Sequence, residues 1–232
     1  MLLTAGHCAD YFADGILLSG VKLNGLDAKY HKVDSVLVHP GYPGGTEMND
    51  IALVKMATSS TVQPVTLSRT PESPVESDKV RMVGYGYTVE DGEASPVARE
   101  VEVEVTNFEE CREFYDGNLV VELTFCTAWP LDYSRDACQG DSGGPVLDAE
   151  GTQVGIVSFG AGCAREFVSS VNTKVGAYDN WIRRGICNIS RKPPDYCLTL
   201  NTTPAAVSSP SKAPVPPPAP RPVPPPTKAP VQ

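Results

Sequence analysis

Three short stretches of the chain hold residue types that can do chemistry. Leu3-Thr4-Ala5-Gly6-His7-Cys8 carries a histidine, and Asn49-Asp50-Ile51-Ala52-Leu53-Val54 carries an aspartate ahead of an apolar run. Asp136-Ala137-Cys138-Gln139-Gly140-Asp141-Ser142-Gly143-Gly144-Pro145 sets a serine among glycines. The third stretch is the most specific. Its glycines permit a tight loop whose backbone N–H groups converge on one point. A serine in such a loop is placed to attack a carbonyl, and the amides of Gly140 and Ser142 would receive the negative oxygen that the attack creates. The first two stretches are ordinary when taken singly. A histidine beside a cysteine is commonly a packed residue, and Asn-Asp before an apolar run is commonly a turn. His31 and His39 read as surface or packing residues.

The elements that must hold these residues are mostly β. Short β-branched runs at Val33–Val38, Ile51–Met56, Val80–Val83, Val97–Val105 and Val154–Phe159 are separated by Gly, Pro and Asn. Residues 99–105 alternate strictly, with Val101, Val103 and Val105 on one side and Glu100, Glu102 and Glu104 on the other, the period of a half-buried strand. Helical patterning is convincing only at Val175–Arg184. Many short strands and frequent turns predict an all-β barrel or sandwich.

The chain of 232 residues carries 19 basic and 28 acidic side chains, a net charge of −9. That balance lacks the phosphate-neutralising footprint of a nucleic-acid partner. No stretch reaches the roughly 18 uninterrupted apolar residues of a membrane span. Fourteen of the 22 prolines lie at or after Pro193, and Pro214-Val215-Pro216-Pro217-Pro218 returns as Pro222-Val223-Pro224-Pro225-Pro226. Residues 198–232 therefore read as a disordered polyproline stalk, either a spacer or a docking ligand for a wall or protein partner. Residues 1–197 read as one globular domain, with an N-terminal part over 1–67 and a second part over 68–197.

There are seven cysteines, at 8, 111, 126, 138, 163, 187 and 197, and none has the two-residue spacing of zinc or redox motifs. Neither a metal nor an organic cofactor is implied. The cysteines, the stalk and two glycosylation sequons, at Asn188 and Asn201, together point to a secreted protein. The N-terminus is nonetheless too short for a signal peptide.

In chain order His7, Asp50, Ser142, with gaps of 43 and 92 residues, the three stretches resemble the trypsin/chymotrypsin family of serine proteases over residues 1 to about 185. The resemblance implies two antiparallel six-stranded-type β-barrels joined near Val62–Leu67, a C-terminal helix and no cofactor. It makes Ser142 the nucleophile, His7 the general base and later acid, and Asp50 the group that fixes the imidazole tautomer. Ser158 falls on the strand that pairs with the substrate backbone. The family's bridges imply Cys111 with Cys126 and Cys138 with Cys163. Cys187 and Cys197 match no family bridge, and a local link at the base of the stalk is expected. Cys8 lacks its usual upstream partner.

The same resemblance implies that Asp141 pairs with an N-terminal ammonium freed by activation. The family's domain begins well before the His7 motif, so the sequence reads as an N-terminally truncated copy. Three expectations follow: an incomplete first barrel with an exposed edge, an unpaired carboxylate at Asp141, and low activity of the chain alone. Asp136 falls where the family floors its primary specificity pocket, implying cleavage after Arg or Lys, with Gly160 and Gly162 as the small wall residues. Two residues depart from the pattern. Ser170 stands where trypsin-like members have glycine, and Asn172 where they have tyrosine. A serine there would narrow the pocket and has Asp136 within reach. Polypeptide substrates and proteinaceous inhibitors are the implied partners. The alternative is a catalytically silent homologue acting as a binding or inhibitor protein.

Overall fold

The structure is a computed structural model that describes residues 1–13, 15–18, 20–22, 27–44 and 48–200. Of the expected stalk over 198–232, residues 201–232, Asn201 among them, lie outside the described residues. The N-terminal part contains β1 (Leu2–Thr4), a 3₁₀ turn over Gly6–Phe12, β2 (Ile16–Leu18), β3 (Lys29–His31), β4 (Val33–Val38) and β5 (Ala52–Met56). The second part contains β6 (Lys79–Gly84), β7 (Arg99–Val105), α1 (Phe108–Phe114), β8 (Thr124–Ala128), β9 (Pro145–Leu147), β10 (Gln153–Phe159) and β11 (Ser170–Lys174). A 3₁₀ turn over Val175–Tyr178 leads into α2 (Asp179–Ile189), and α3 (Tyr196–Leu200) follows.

The six strands of the second part close into an antiparallel barrel in the order β10-β11-β8-β7-β6-β9. Its interior is filled by the valine side of β7 (Val103, Val105), by Val80 and Met82 of β6, and by Phe125, Val146 and Val154. Fully burying each such side chain is worth about 1.5–3 kcal/mol. The glutamate side of β7 faces outward and meets cations of β6, at 3.4 Å for Lys79–Glu102 and 3.6 Å for Arg81–Glu100. The alternation in the sequence thus sets both faces of this strand.

The N-terminal part does not close. Among the described residues it forms a three-stranded sheet, β1-β5-β4, and a separate two-stranded sheet, β2-β3. Among the described residues β1 pairs with β5 alone, and its three residues are half-buried to buried. The segment between the two parts is fastened to the second barrel. The amide of Ser68 donates to Gln153 O at 2.9 Å, and that of Gln153 to Thr66 O at 2.8 Å, clipping the linker to β10.

A second core joins the two parts. Ala5, Cys8, Ile51 and Leu53 meet Ile156, Val175, Tyr178 and Ile182. Helix α2 lies so close to the N-terminal sheet that a β-carbon at Gly185 would meet Leu53 at 2.6 Å and Leu37 at 3.1 Å. Against the expected Val175–Arg184, the α-helix starts later, at Asp179 after the 3₁₀ turn, and ends later, at Ile189. Helix α3 runs on to Leu200, and its buried Cys197 is bridged to Cys187 of α2. The bridges Cys111–Cys126 and Cys138–Cys163 are formed as well, and Cys8 is a buried free thiol. His31 is buried, while His39 packs against the rings of Tyr178 and Trp181. No described helix is long and apolar enough to cross a membrane.

Candidate active site

Asp50 is the node of the site. The register of β1 on β5, with Thr4 opposite Ala52, brings the 3₁₀ turn that carries His7 over Asp50, two residues ahead of β5. Asn49 turns the chain there at φ 56° and is held by a bond from Tyr178 Oη to its Oδ1 at 3.2 Å. Asp50 is only 3% exposed. Its Oδ1 accepts the His7 amide at 2.8 Å, and its Oδ2 accepts His7 Nδ1 at 2.7 Å and Ser158 Oγ at 2.6 Å. Its own carbonyl accepts Thr173 Oγ1 at 2.9 Å. Gly6 is closely packed, since a β-carbon there would stand 3.2 Å from the Tyr42 ring and 3.3 Å from Asp50 Oδ1.

The electrostatics follow from these bonds. Burial alone would push the Asp50 carboxyl up, but bonds from the His7 ring, the Ser158 hydroxyl and the His7 amide outweigh it and hold the group below its ordinary 3.8. The hydrogen bond that its ring gives to Asp50, and then the neighbouring Cys8 thiol, raise His7 above its ordinary 6.5. With Nδ1 donating to Asp50, the Nε2 lone pair of the neutral ring is the free basic position.

Ser142 is exposed at the tip of its loop. The Cys138–Cys163 bridge anchors that loop on one side. On the other, Gly143 N donates to Val157 O at 2.8 Å and Val157 N to Gly144 O at 3.0 Å. Gly140 and Gly143 adopt φ +93° and +78°, a conformation that favours glycine. The loop also touches β1, through Thr4 Oγ1 to Gly143 O at 3.3 Å, and the histidine turn, through Cys8 Sγ to Ser142 O at 3.5 Å. The amides of Gly140 and Ser142 have no protein acceptor among the described residues, so both donors are available. Ser142 Oγ makes no hydrogen bond to His7; such bonds are often loose without substrate.

Asp141, expected to lack a counter-charge, is held by backbone amides. Its Oδ1 accepts Gly86 N at 2.8 Å and its Oδ2 accepts Cys138 N at 3.0 Å. Two backbone dipoles thus satisfy it, although no side-chain cation among the described residues pairs with it. It lines a cavity of about 440 Å³ together with Gly84, Gly86, Glu90, Arg99 and Asp136.

Beside Ser142 lies a smaller cleft of about 200 Å³, lined by Ser158, Gly160, Gly162, Cys163 and Ser170 among others. Asp136, expected at its floor, is not on this lining; it stands behind Ser170 and faces the larger cavity. Its Oδ1 accepts Ala137 N at 2.8 Å, and its Oδ2 accepts Ala164 N at 3.1 Å and Ser170 Oγ at 2.8 Å. Burial dominates over these bonds and pushes its carboxyl up to about 6. Asn172 is fully buried and donates to Thr127 Oγ1 at 2.9 Å, with no partner for its Oδ1. Asn188 is exposed near the end of α2. Among the described residues, no three His, Cys, Asp or Glu side chains converge as a metal site.

The trypsin family model matches residues 1–182. The chain belongs to the trypsin family. It is 32% identical to alkaline trypsin B of Manduca sexta over 190 residues, covering 78% of this chain and 74% of that protein. It is 32% identical to trypsin eta of Drosophila melanogaster, over 79% of this chain and 72% of the relative. Among solved structures it resembles neuropsin, a serine protease expressed in the limbic system of mouse brain, with a TM-score of 0.71 and 26% identity, covering 79% and 83% of the two chains. The family's fold, mostly β with a closed six-stranded barrel and a short C-terminal helix, is the fold described above. Sequence reasoning missed Thr173 and Tyr178 at the Asp50 node. Neither has a local signal, since each lies more than 120 residues from its partner and only the docking of the two parts joins them.

Proposed function

We propose that the chain is a serine endopeptidase in which His7, Asp50 and Ser142 act together. The observation that carries this reading is the Asp50 node, where one buried carboxylate holds the His7 ring by Nδ1 at 2.7 Å and is itself steadied by Ser158 at 2.6 Å. An imidazole held by Nδ1 presents Nε2 as the base. Nε2 takes the Ser142 proton as Oγ attacks the substrate carbonyl. The tetrahedral oxyanion then meets the Gly140 and Ser142 amides. His7, now an imidazolium stabilised by Asp50, returns the proton to the leaving amine, and water repeats the cycle on the acyl-enzyme.

In this reading the cleft beside Ser142 takes the side chain before the cleaved bond. Asp136 gives it a preference for basic residues, Gly160 and Gly162 keep its walls open, and Asp141 is the receptor for an activating ammonium. Three disulfides fit an oxidising, extracellular setting. Residues 1–197 then form the protease unit and 198–232 a stalk available to a wall or protein partner, with glycans on Asn188 and Asn201. The second reading is a silent homologue that binds or inhibits a partner.

The test is labelling with a fluorophosphonate, read by mass spectrometry of the tryptic peptides. The expected result is one adduct on Ser142, abolished in Ser142→Ala and strongly slowed in His7→Ala. A folded protein that takes no label would leave the binding reading in its place.

A further inference from the structure

Ser170 lies in β11, is 6% exposed, and sits between the cleft beside Ser142 and the carboxylate of Asp136. Its hydroxyl spends its hydrogen on Asp136 Oδ2 at 2.8 Å. The same oxygen reaches toward the opposite wall, since a β-carbon at Gly160 would stand only 2.8 Å from it. What a substrate side chain meets at the bottom of the 200 Å³ cleft is therefore the lone-pair side of a hydroxyl, with a carboxylate behind it. That carboxylate already accepts three hydrogen bonds, from Ala137 N, Ala164 N and Ser170 Oγ. The methyl of Ala137, also on the lining, offers no acceptor of its own.

We propose that Ser170 sets this pocket for lysine and against arginine. The inference deepens the endopeptidase reading and rests on it. A guanidinium is a rigid planar fork that binds best to two coplanar acceptors, as an open carboxylate provides. Here the Ser170 side chain covers that edge of Asp136 and shortens the pocket. An ammonium is a compact point charge with three rotatable donors, and it needs only one good acceptor at the bottom. The Ser170 oxygen, polarised by the bond it gives to Asp136, is such an acceptor, and wall carbonyls take the remaining donors. Lysine is also the shorter side chain. The charge of Asp136 still selects a cation, but through the hydroxyl and at one point.

The experiment uses two probes that share a ring and differ only in the cation, benzylamine with a single ammonium and benzamidine with a planar amidinium. Their affinities for the full chain, measured by calorimetry or by NMR titration, require no turnover. The expected result is benzylamine binding tighter by about tenfold or more, with the order reversed in Ser170→Gly, where the Asp136 edge is uncovered. Equal or tighter binding of benzamidine to the wild-type chain overturns the proposal without any variant. Binding of neither probe overturns it too, as does a preference that Ser170→Gly leaves unchanged, which would put the probes in the cavity beside Asp141. Benzylamine preference in a chain whose Ser142 takes no fluorophosphonate would uphold the pocket and sink the peptidase.

Discussion

Asp50 holds three elements at once. It receives the His7 turn, the Ser158 hydroxyl of β10 and, through its carbonyl, the Thr173 hydroxyl of β11. A group used in this way does more than accept a proton's charge. It fixes which imidazole nitrogen is basic. Asp50→Asn would keep the shape and present an amide donor to Nδ1, forcing the proton onto Nε2. We expect kcat/KM to fall by about three to four orders of magnitude in steady-state peptide hydrolysis. The pH profile carries a separate prediction. Because Asp50, and then Cys8, raise His7 above its ordinary 6.5, activity should be lost as pH falls through a midpoint above 6.5. Asp50→Asn removes the dominant cause, so its residual activity should titrate at a lower midpoint. An unchanged midpoint would mean that another group sets the limb.

At the scale of elements, the sequence was most legible where one face is buried and the other wet. The Val and Glu alternation of β7 is visible because period two is all a half-buried strand requires. Helix α1 was not visible. Its seven residues are too few to display a period, and its evidence is a local cap, the Asn107 side chain accepting Glu110 N at 3.2 Å, with a buried cysteine bridged to β8. The serine loop was legible for a different reason, since its glycines are demanded by φ +93° at Gly140 and φ +78° at Gly143 and no other residue adopts these cheaply. The floor of the specificity cleft was only half legible. The Ser170–Asp136 bond was anticipated, but whether Asp136 remains on the lining depends on side-chain directions that a linear sequence does not encode. Docking between elements was least legible, and α2 illustrates it. Gly185 lies within a helix, where glycine costs roughly 1 kcal/mol relative to alanine, and its use here is to admit Leu53 and Leu37. Gly185→Val should therefore destabilise by about 1–3 kcal/mol through overpacking, seen as a lower midpoint in urea with an unchanged slope. A neutral effect would show that α2 has room to move away from the N-terminal sheet.

The whole molecule is acidic, with a net charge of −9, and it keeps one carboxylate, Asp136, mainly by burial rather than by a cation. The folded state raises that group from 3.8 to about 6, so it binds the proton more tightly than the unfolded chain does. Its contribution to stability therefore falls as pH rises between about 4 and 6, and the full cost of burying the charge is felt above 6. Thermal melts of the wild-type chain and Asp136→Asn across that window should diverge, the wild type losing stability relative to the variant as pH increases. Parallel curves would place the raised group elsewhere. The two parts of the molecule are joined by the core around Ile51, Leu53, Ile156 and Ile182, and α2 is the element of that core nearest the end of the chain. The bridge to Cys197 starts from Cys187 in the last turn of α2. Tension applied to the chain past Leu200 would enter the body at Cys197 and pass straight into α2, leaving residues 188–196 as an unloaded bypass. A cut anywhere in that bypass would not set the C-terminal segment free, because the sulfur link, and not the peptide backbone, is the tether.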